Sequence, residues 1–130
     1  MGYNIELSFN ILKHSNVTEL QNNIVNLANE CLCNFYYHNY EYENSIKHIR
    51  SHSITTLNFD NTEIDNLVKF LRNVKNIKGL YIENIYNEDS SVILYASKYY
   101  IKEMINKGYN KKRTYSEEEK IILNSIGKSS

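Results

Sequence analysis

Two thiols and two imidazoles lie near enough along the chain to suggest a metal site: Cys31, Cys33, His48 and His52. Thiolate sulfur and imidazole nitrogen are the ligands zinc prefers, and three residues between the histidines suit a finger-like site. The thiol pair does not suit it. It is Cys-x-Cys, where zinc fingers place two to four residues between the first ligands. Cys31 also falls on the apolar stripe of an expected helix, where a thiol behaves as a small hydrophobe. The set is read as unrelated residues, with no metal and no other cofactor. A disulfide between Cys31 and Cys33 would close a tiny, strained loop, so none is expected.

The second cluster is aromatic. Tyr36, His38, Tyr40 and Tyr42 alternate along a run of period two, with Tyr37, Asn39, Glu41 and Glu43 on the other face. Such rings can stack on exposed bases, pack at a sheet edge with wet hydroxyls, or form a protein interface, where tyrosine is enriched. These four are the candidate partner-binding residues. Lys107, Lys111, Lys112 and Arg113 form the basic cluster and are the candidate phosphate contacts. Glu117, Glu118 and Glu119 follow at once and would repel a polyanion. The same run also reads as a solvated linker entering a helix whose acidic first turn suits its dipole. Glu41 and Glu43 are paired carboxylates, but nothing nearby would separate their pKa values for acid–base work. There is no nucleophile elbow, and the glycines, Gly2, Gly79, Gly108 and Gly127, build no phosphate loop. No catalytic residue is assigned.

The elements that must position these residues follow from periodicity. Ile5, Leu7, Phe9 and Ile11 alternate with Asn4, Glu6, Ser8 and Asn10, which predicts a strand with one wet face. Asn16 can cap a helix whose stripe is Val17, Leu20, Ile24, Leu27, Ala28 and Cys31. The tyrosine strand runs from about Phe35 to Glu43, and a polar connection leads to a strand over Ser53–Phe59. Asp60, Asn61 and Thr62 supply helix-start chemistry for the stripe Ile64, Leu67, Val68, Leu71 and Val74. Leu80–Tyr86 and Ser91–Ala96 read as a hairpin. Lys98–Lys107 reads as a helix, Tyr109–Arg113 as a polar linker, and Ser116 with Glu119 as the capping box of a last helix.

The fold class expected is α+β: a two-layer sandwich with the ferredoxin-like βαββαβ order, an added edge strand and C-terminal helices. Residues 1–108 would form the domain, and 109–130 a basic linker and a helix packed on or beside it. A 23-residue echo, Ile54, Leu57 and Phe59 against Ile77, Leu80 and Ile82, fits a leucine-rich unit. It has only two copies, and a solenoid needs about three to bury a core.

At 130 residues the chain has the usual size of one domain. Its 42% hydrophobic and 23% charged residues place it with globular proteins rather than disordered ones. Fifteen basic and 15 acidic residues cancel, which removes the simplest argument for nucleic acid or an anionic membrane as partner and favours self-association. No run approaches the roughly 20 apolar residues of a membrane span, and no export signal precedes Asn10, so the expected compartment is a reducing cytoplasm. Asn, with 20 copies, Ile, with 16, and Tyr, with 12, dominate, while Pro and Trp are absent. Asn, Ile, Tyr and Lys have AT-rich codons. In this composition the chain resembles small uncharacterised proteins of giant DNA viruses of the mimivirus kind, with AT-rich amoebae and apicomplexan parasites as alternative sources. For a viral protein the compartment would be the host cytoplasm, and the resemblance implies no activity.

The expected function is a non-catalytic protein-interaction or structural module, with a protein partner or a second copy of itself. One alternative is a single-stranded nucleic-acid-binding module using the tyrosine face and the basic linker. The other is a small enzyme with no recognisable motif.

Overall fold

A computed structural model describes residues 2–12, 16–41, 51–98, 100–111 and 114–127; the side chains at 40, 41 and 51–54 lie outside that description. The elements are β1 (Tyr3–Leu12), α1 (Val17–Glu30), β2 (Phe35–Glu41), β3 (Ser51–Thr62), α2 (Ile64–Val74), β4 (Leu80–Asn87), β5 (Val92–Ala96), α3 (Ile101–Asn106), β6 (Asn110–Lys111) and α4 (Glu117–Ser125). The protein is thus mixed α+β, and its described residues form four helices and one six-stranded sheet in the order β2-β3-β1-β4-β5-β6. Neighbouring strands are antiparallel except β5 and β6, which are parallel. None of the described helices is long and apolar enough to cross a membrane.

The alternation in β1 sets the layers. Ile5, Leu7, Phe9 and Ile11 are fully buried and pack with Leu57 and Phe59 of β3 and Ile85 of β4. Onto this face α1 lays Leu20, Ile24 and Ala28, α2 lays Leu67, Phe70 and Leu71, and α4 lays Ile122 and Leu123. Phe70 meets Phe59 and Phe9 edge-on at centroid distances of 5.5 and 6.3 Å, an arrangement aromatic quadrupoles favour. Asn16 caps α1 by one bond, without the reciprocal bond from Glu19 that a capping box would add, and Ser116 caps α4 by a full capping box. Asn16 Oδ1 accepts from the Glu19 N–H at 3.1 Å. Ser116 Oγ accepts from the Glu119 N–H at 3.2 Å, while the Ser116 N–H donates to Glu119 Oε1 at 2.9 Å.

The second face of the sheet departs from expectation. Glu6 is half-buried, and Ser8 and Asn10 are buried rather than wet. The reason is lateral pairing between polar side chains. Ser8 Oγ and Thr56 Oγ1 share a hydrogen bond at 3.1 Å, and Asn10 Nδ2 donates to Glu83 Oε2. Glu83 is placed there by a bulge: Ser8 pairs Asn84 and Phe9 pairs Ile82, so Glu83 is the extra residue, a common way to re-aim a side chain. Tyr100, which precedes α3, has its hydroxyl pushed above the ordinary 10 by burial and then by Glu6, Glu103 and Glu83.

Three local predictions give way to the sheet. Asp60, Asn61 and Thr62 do not start α2; they extend β3. The Asp60 N–H bonds Asn34 O at 2.8 Å, the Thr62 hydroxyl bonds Asn34 O at 3.0 Å, and Asn61, at φ 48°, accepts from the Gly2 N–H. Helix α2 starts instead at Ile64 with no side-chain cap. Helix α3 is shorter than Lys98–Lys107; it follows a turn in which Ser97 O accepts from the Tyr100 and Ile101 N–H groups. The stretch read as a polar linker contributes β6, which pairs Asn110 with Val92 and Lys111 with Ile93.

Candidate functional site

The sheet has two edges, and they are built differently. At one end, β6 is only two residues long. Its Lys111 turns inward: the ammonium donates to Leu94 O at 3.0 Å, bonds the Tyr115 hydroxyl, and sits 5.0 Å from that ring's centroid. Very short edge strands are one way proteins discourage unwanted pairing. At the other end is β2, Phe35–Glu41, seven residues that pair with β3 alone among the described strands. It contains no proline or lysine and no bulge.

The direction of the β2 backbone follows from one hydrogen bond and an unbroken register. Every β2–β3 pair from Phe35–Phe59 to Glu41–Ser53 keeps the same offset, and Asn34–Asp60 continues it. The Asp60 N–H donates to Asn34 O at 2.8 Å, so Asn34 lies at a hydrogen-bonded position. In an antiparallel ladder such positions alternate. Tyr36, His38 and Tyr40 therefore direct their N–H and C=O groups to β3, while Phe35, Tyr37, Asn39 and Glu41 direct theirs away from the sheet. Backbone groups of this kind need a partner or water.

The side chains around this edge are apolar and open. Leu32 is 79% exposed, Tyr36 67% and Tyr37 50%, so three of the large exposed hydrophobic residues fall within six positions at one edge. Leu32 is held at φ 59°, a left-handed conformation unusual for a branched residue, at the end of α1. The Asn66 amide donates weakly to its carbonyl at 3.5 Å. Phe35 anchors the strand from below, with its ring 6.2 Å from Phe59. Asn39 accepts the Thr55 hydroxyl proton at 2.8 Å.

Of the four expected partner-binding residues, Tyr36 and His38 do share a face, exposed and opposite α1 and α2. Tyr36 pairs with Asn58 and His38 with Thr56, in the rows of Glu6 and Ser8. Tyr40 pairs with Ile54 by its backbone, and Tyr42 lies outside the described residues. Of the basic cluster, two residues fall among the described ones. Lys107 is exposed at the end of α3, Lys111 is engaged as above, and Lys112 and Arg113 lie outside the described residues. Glu6 stands beside Asn58, and its carboxyl is raised above the ordinary 4.5 by burial and then by Glu88.

Cys31 is buried at the end of α1, and Cys33 is half-buried with its thiol 3.7 Å from Asn66 O. Burial, and then the neighbouring Cys31, push the Cys33 thiol up to about 12, the reverse of a reactive or metal-binding thiolate. His48 and the side chain of His52 lie outside the described residues, where the remainder of the Cys2His2 set would fall. Among the described residues no group of three or more His, Cys, Asp or Glu side chains could hold a metal. Sequence reasoning missed Leu32, whose role depends on a backbone angle, and Glu83, whose burial depends on a bulge. No family model matches the chain, and no curated protein or solved structure matches it significantly.

Proposed function

We propose that this protein is a non-catalytic protein-interaction module that takes an extended polypeptide strand along β2. The observation that carries the reading is the outward direction of the backbone at residues 35, 37, 39 and 41, inferred from the Asn34–Asp60 bond, on a strand that itself carries no proline, lysine or bulge. Strand addition draws affinity from main-chain hydrogen bonds and specificity from side chains on alternate faces. Here Tyr36 and His38 flank an incoming strand on one face, and Leu32 and Tyr37 on the other. Rigid aromatic rings suit such a surface because they supply contact area for little lost entropy.

The framework in this reading is a ferredoxin-like βαββαβ unit extended by β5 and β6. The order β2-β3-β1-β4, with antiparallel neighbours throughout, supports it. A fold of this kind does not by itself specify activity, so the functional argument stays with the edge.

A selection from random heptapeptides displayed on phage tests the reading, followed by backbone amide exchange with the enriched peptides bound. The expected result is slowed exchange at Tyr37 and Asn39 on binding. Enrichment of no peptide, or of peptides that leave those two amides unprotected, overturns the proposal.

A further inference from the structure

We infer that the strand this edge takes is β2 of a second copy, laid antiparallel about a twofold axis at residue 38. The inference rests on the edge reading above and goes further by naming the occupant and the register.

The outward-facing positions carry the argument. Among the described residues, the outward positions 35, 37, 39 and 41 are symmetric about 38, so one arrangement of two β2 strands matches all four. Residue 37 then pairs with 39 of the copy, and 35 with 41. Each of the four pairs exchanges two bonds, giving about eight backbone hydrogen bonds across the axis. Moving the axis to residue 37 or 39 keeps the alternation but leaves outward groups at one end of each strand unmatched. A shift by one residue sets outward groups of one strand against inward groups of the other and fails outright.

Charge and surface agree with a second copy. Within 35–41 the arrangement sets Glu41, the one carboxylate, opposite residue 35 of the copy, while His38 meets its twin on the axis, so the pairing is weakened wherever both imidazoles carry a proton. The chain's formal net charge is zero, so no long-range repulsion opposes approach. The register sets residue 36 opposite residue 40 of the copy. The joined sheets would cover the β2 edges of both molecules, leaving the short β6 strands at the two ends.

The register is testable because residue 38 would meet itself. At a non-hydrogen-bonded antiparallel pair the Cα atoms are about 4.5 Å apart, within the range a disulfide spans. His38→Cys, at an exposed position, is expected to convert under mild oxidation from the 15.4 kDa chain to a species of twice that mass, with the 38–38 link identified by peptide mapping. Tyr36→Cys should not self-link, since its counterpart lies four residues away across the axis. Sedimentation of the unmodified protein over a concentration series accompanies the cross-linking. A strict monomer with no 38–38 link overturns the second copy and leaves strand addition to the peptide selection. A dimer in which Tyr37→Cys links to itself and His38→Cys does not overturns the register alone. A dimer that forms undiminished with proline at position 37 overturns the β2 edge itself.

Discussion

The substitution Tyr37→Pro separates the fold from the contact surface. Proline lacks the N–H and fixes φ near −65°, and within sheets it is tolerated on edge strands when the missing N–H would have faced outward. The alternation fixed by Asn34–Asp60 places the Tyr37 N–H on the outer side, so every bond from β2 to β3 survives the change. A whole aromatic side chain buries roughly 150–250 Å². Tyr37 is 50% exposed, so about 100 Å² is returned to water, or about 2.5 kcal/mol as an upper bound. Stiffening of the unfolded chain offsets roughly 0.4–1 kcal/mol. A net loss of about 1–2 kcal/mol leaves an ordinary domain folded. At the twofold contact the same change removes two hydrogen bonds, one from each copy, at about 0.5–1.5 kcal/mol each. Dimer dissociation should strengthen about 5- to 150-fold, read by sedimentation equilibrium beside a denaturant titration. The companion change, His38→Pro, deletes an inward N–H and so a β2–β3 ladder bond, and should lower stability clearly more than Tyr37→Pro does. The reasoning is refuted if the two prolines are equally harmful to folding, or if Tyr37→Pro leaves a measured dimer constant within about threefold.

Other consequences follow from local chemistry. Glu6→Gln should stabilise the protein at neutral pH. The folded carboxyl titrates above its ordinary 4.5, so the native state holds a proton the unfolded chain has released. Stability of the parent therefore falls as pH rises through the window above 4.5, and the Gln advantage should vanish below it; urea titrations at several pH values read the difference. An advantage that persists undiminished in acid would rule out this cause. Ser116→Ala removes half of the α4 capping box and should lower stability by about 1 kcal/mol, measured by chemical denaturation. The thiols should react with a disulfide reagent at pH 8 far more slowly in the native protein than in denaturant, because Cys31 is buried and Cys33 is held protonated. Equal rates in both states would contradict that environment.

The strands and helices that bury one face were legible from alternation and stripes. Ile5 to Ile11, Leu20 to Ala28 and Leu67 to Val74 need only their own periodicity to declare a buried side, and Asn16 and Ser116 need only a neighbour three residues on to act as caps. What was not legible depended on residues distant in sequence. Asp60, Asn61 and Thr62 have the composition of a helix start, but Asn34 and Gly2 offer them strand-end hydrogen bonds. Ser8 and Asn10 look wet until Thr56 and a bulged Glu83 arrive beside them. At the candidate site, the shared face of Tyr36 and His38 was readable from period two. The edge position of β2 was not, because strand order is a property of the whole sheet. Lys111 looked like a surface cation, and only the approach of Leu94 and Tyr115 turned it inward.

The position of β1 between β3 and β4 carries a consequence for how the chain acquires its shape. Both partners of β1 come after it: Ser8 meets Thr56 across 48 residues, and Asn10 meets Glu83 across 73. During vectorial synthesis β1 must therefore wait, with Ile5, Leu7, Phe9 and Ile11 unpaired and only α1 at hand to shelter them. Closing such long loops before contacts reward the closure makes sheet assembly slow. While it waits, an alternating apolar strand is open to any other chain doing the same. A protein that joins copies edge to edge when mature would thus have to defer that habit in its youth, and the rate at which α1 folds down onto β1 sets how much of each new chain reaches the native sheet alone.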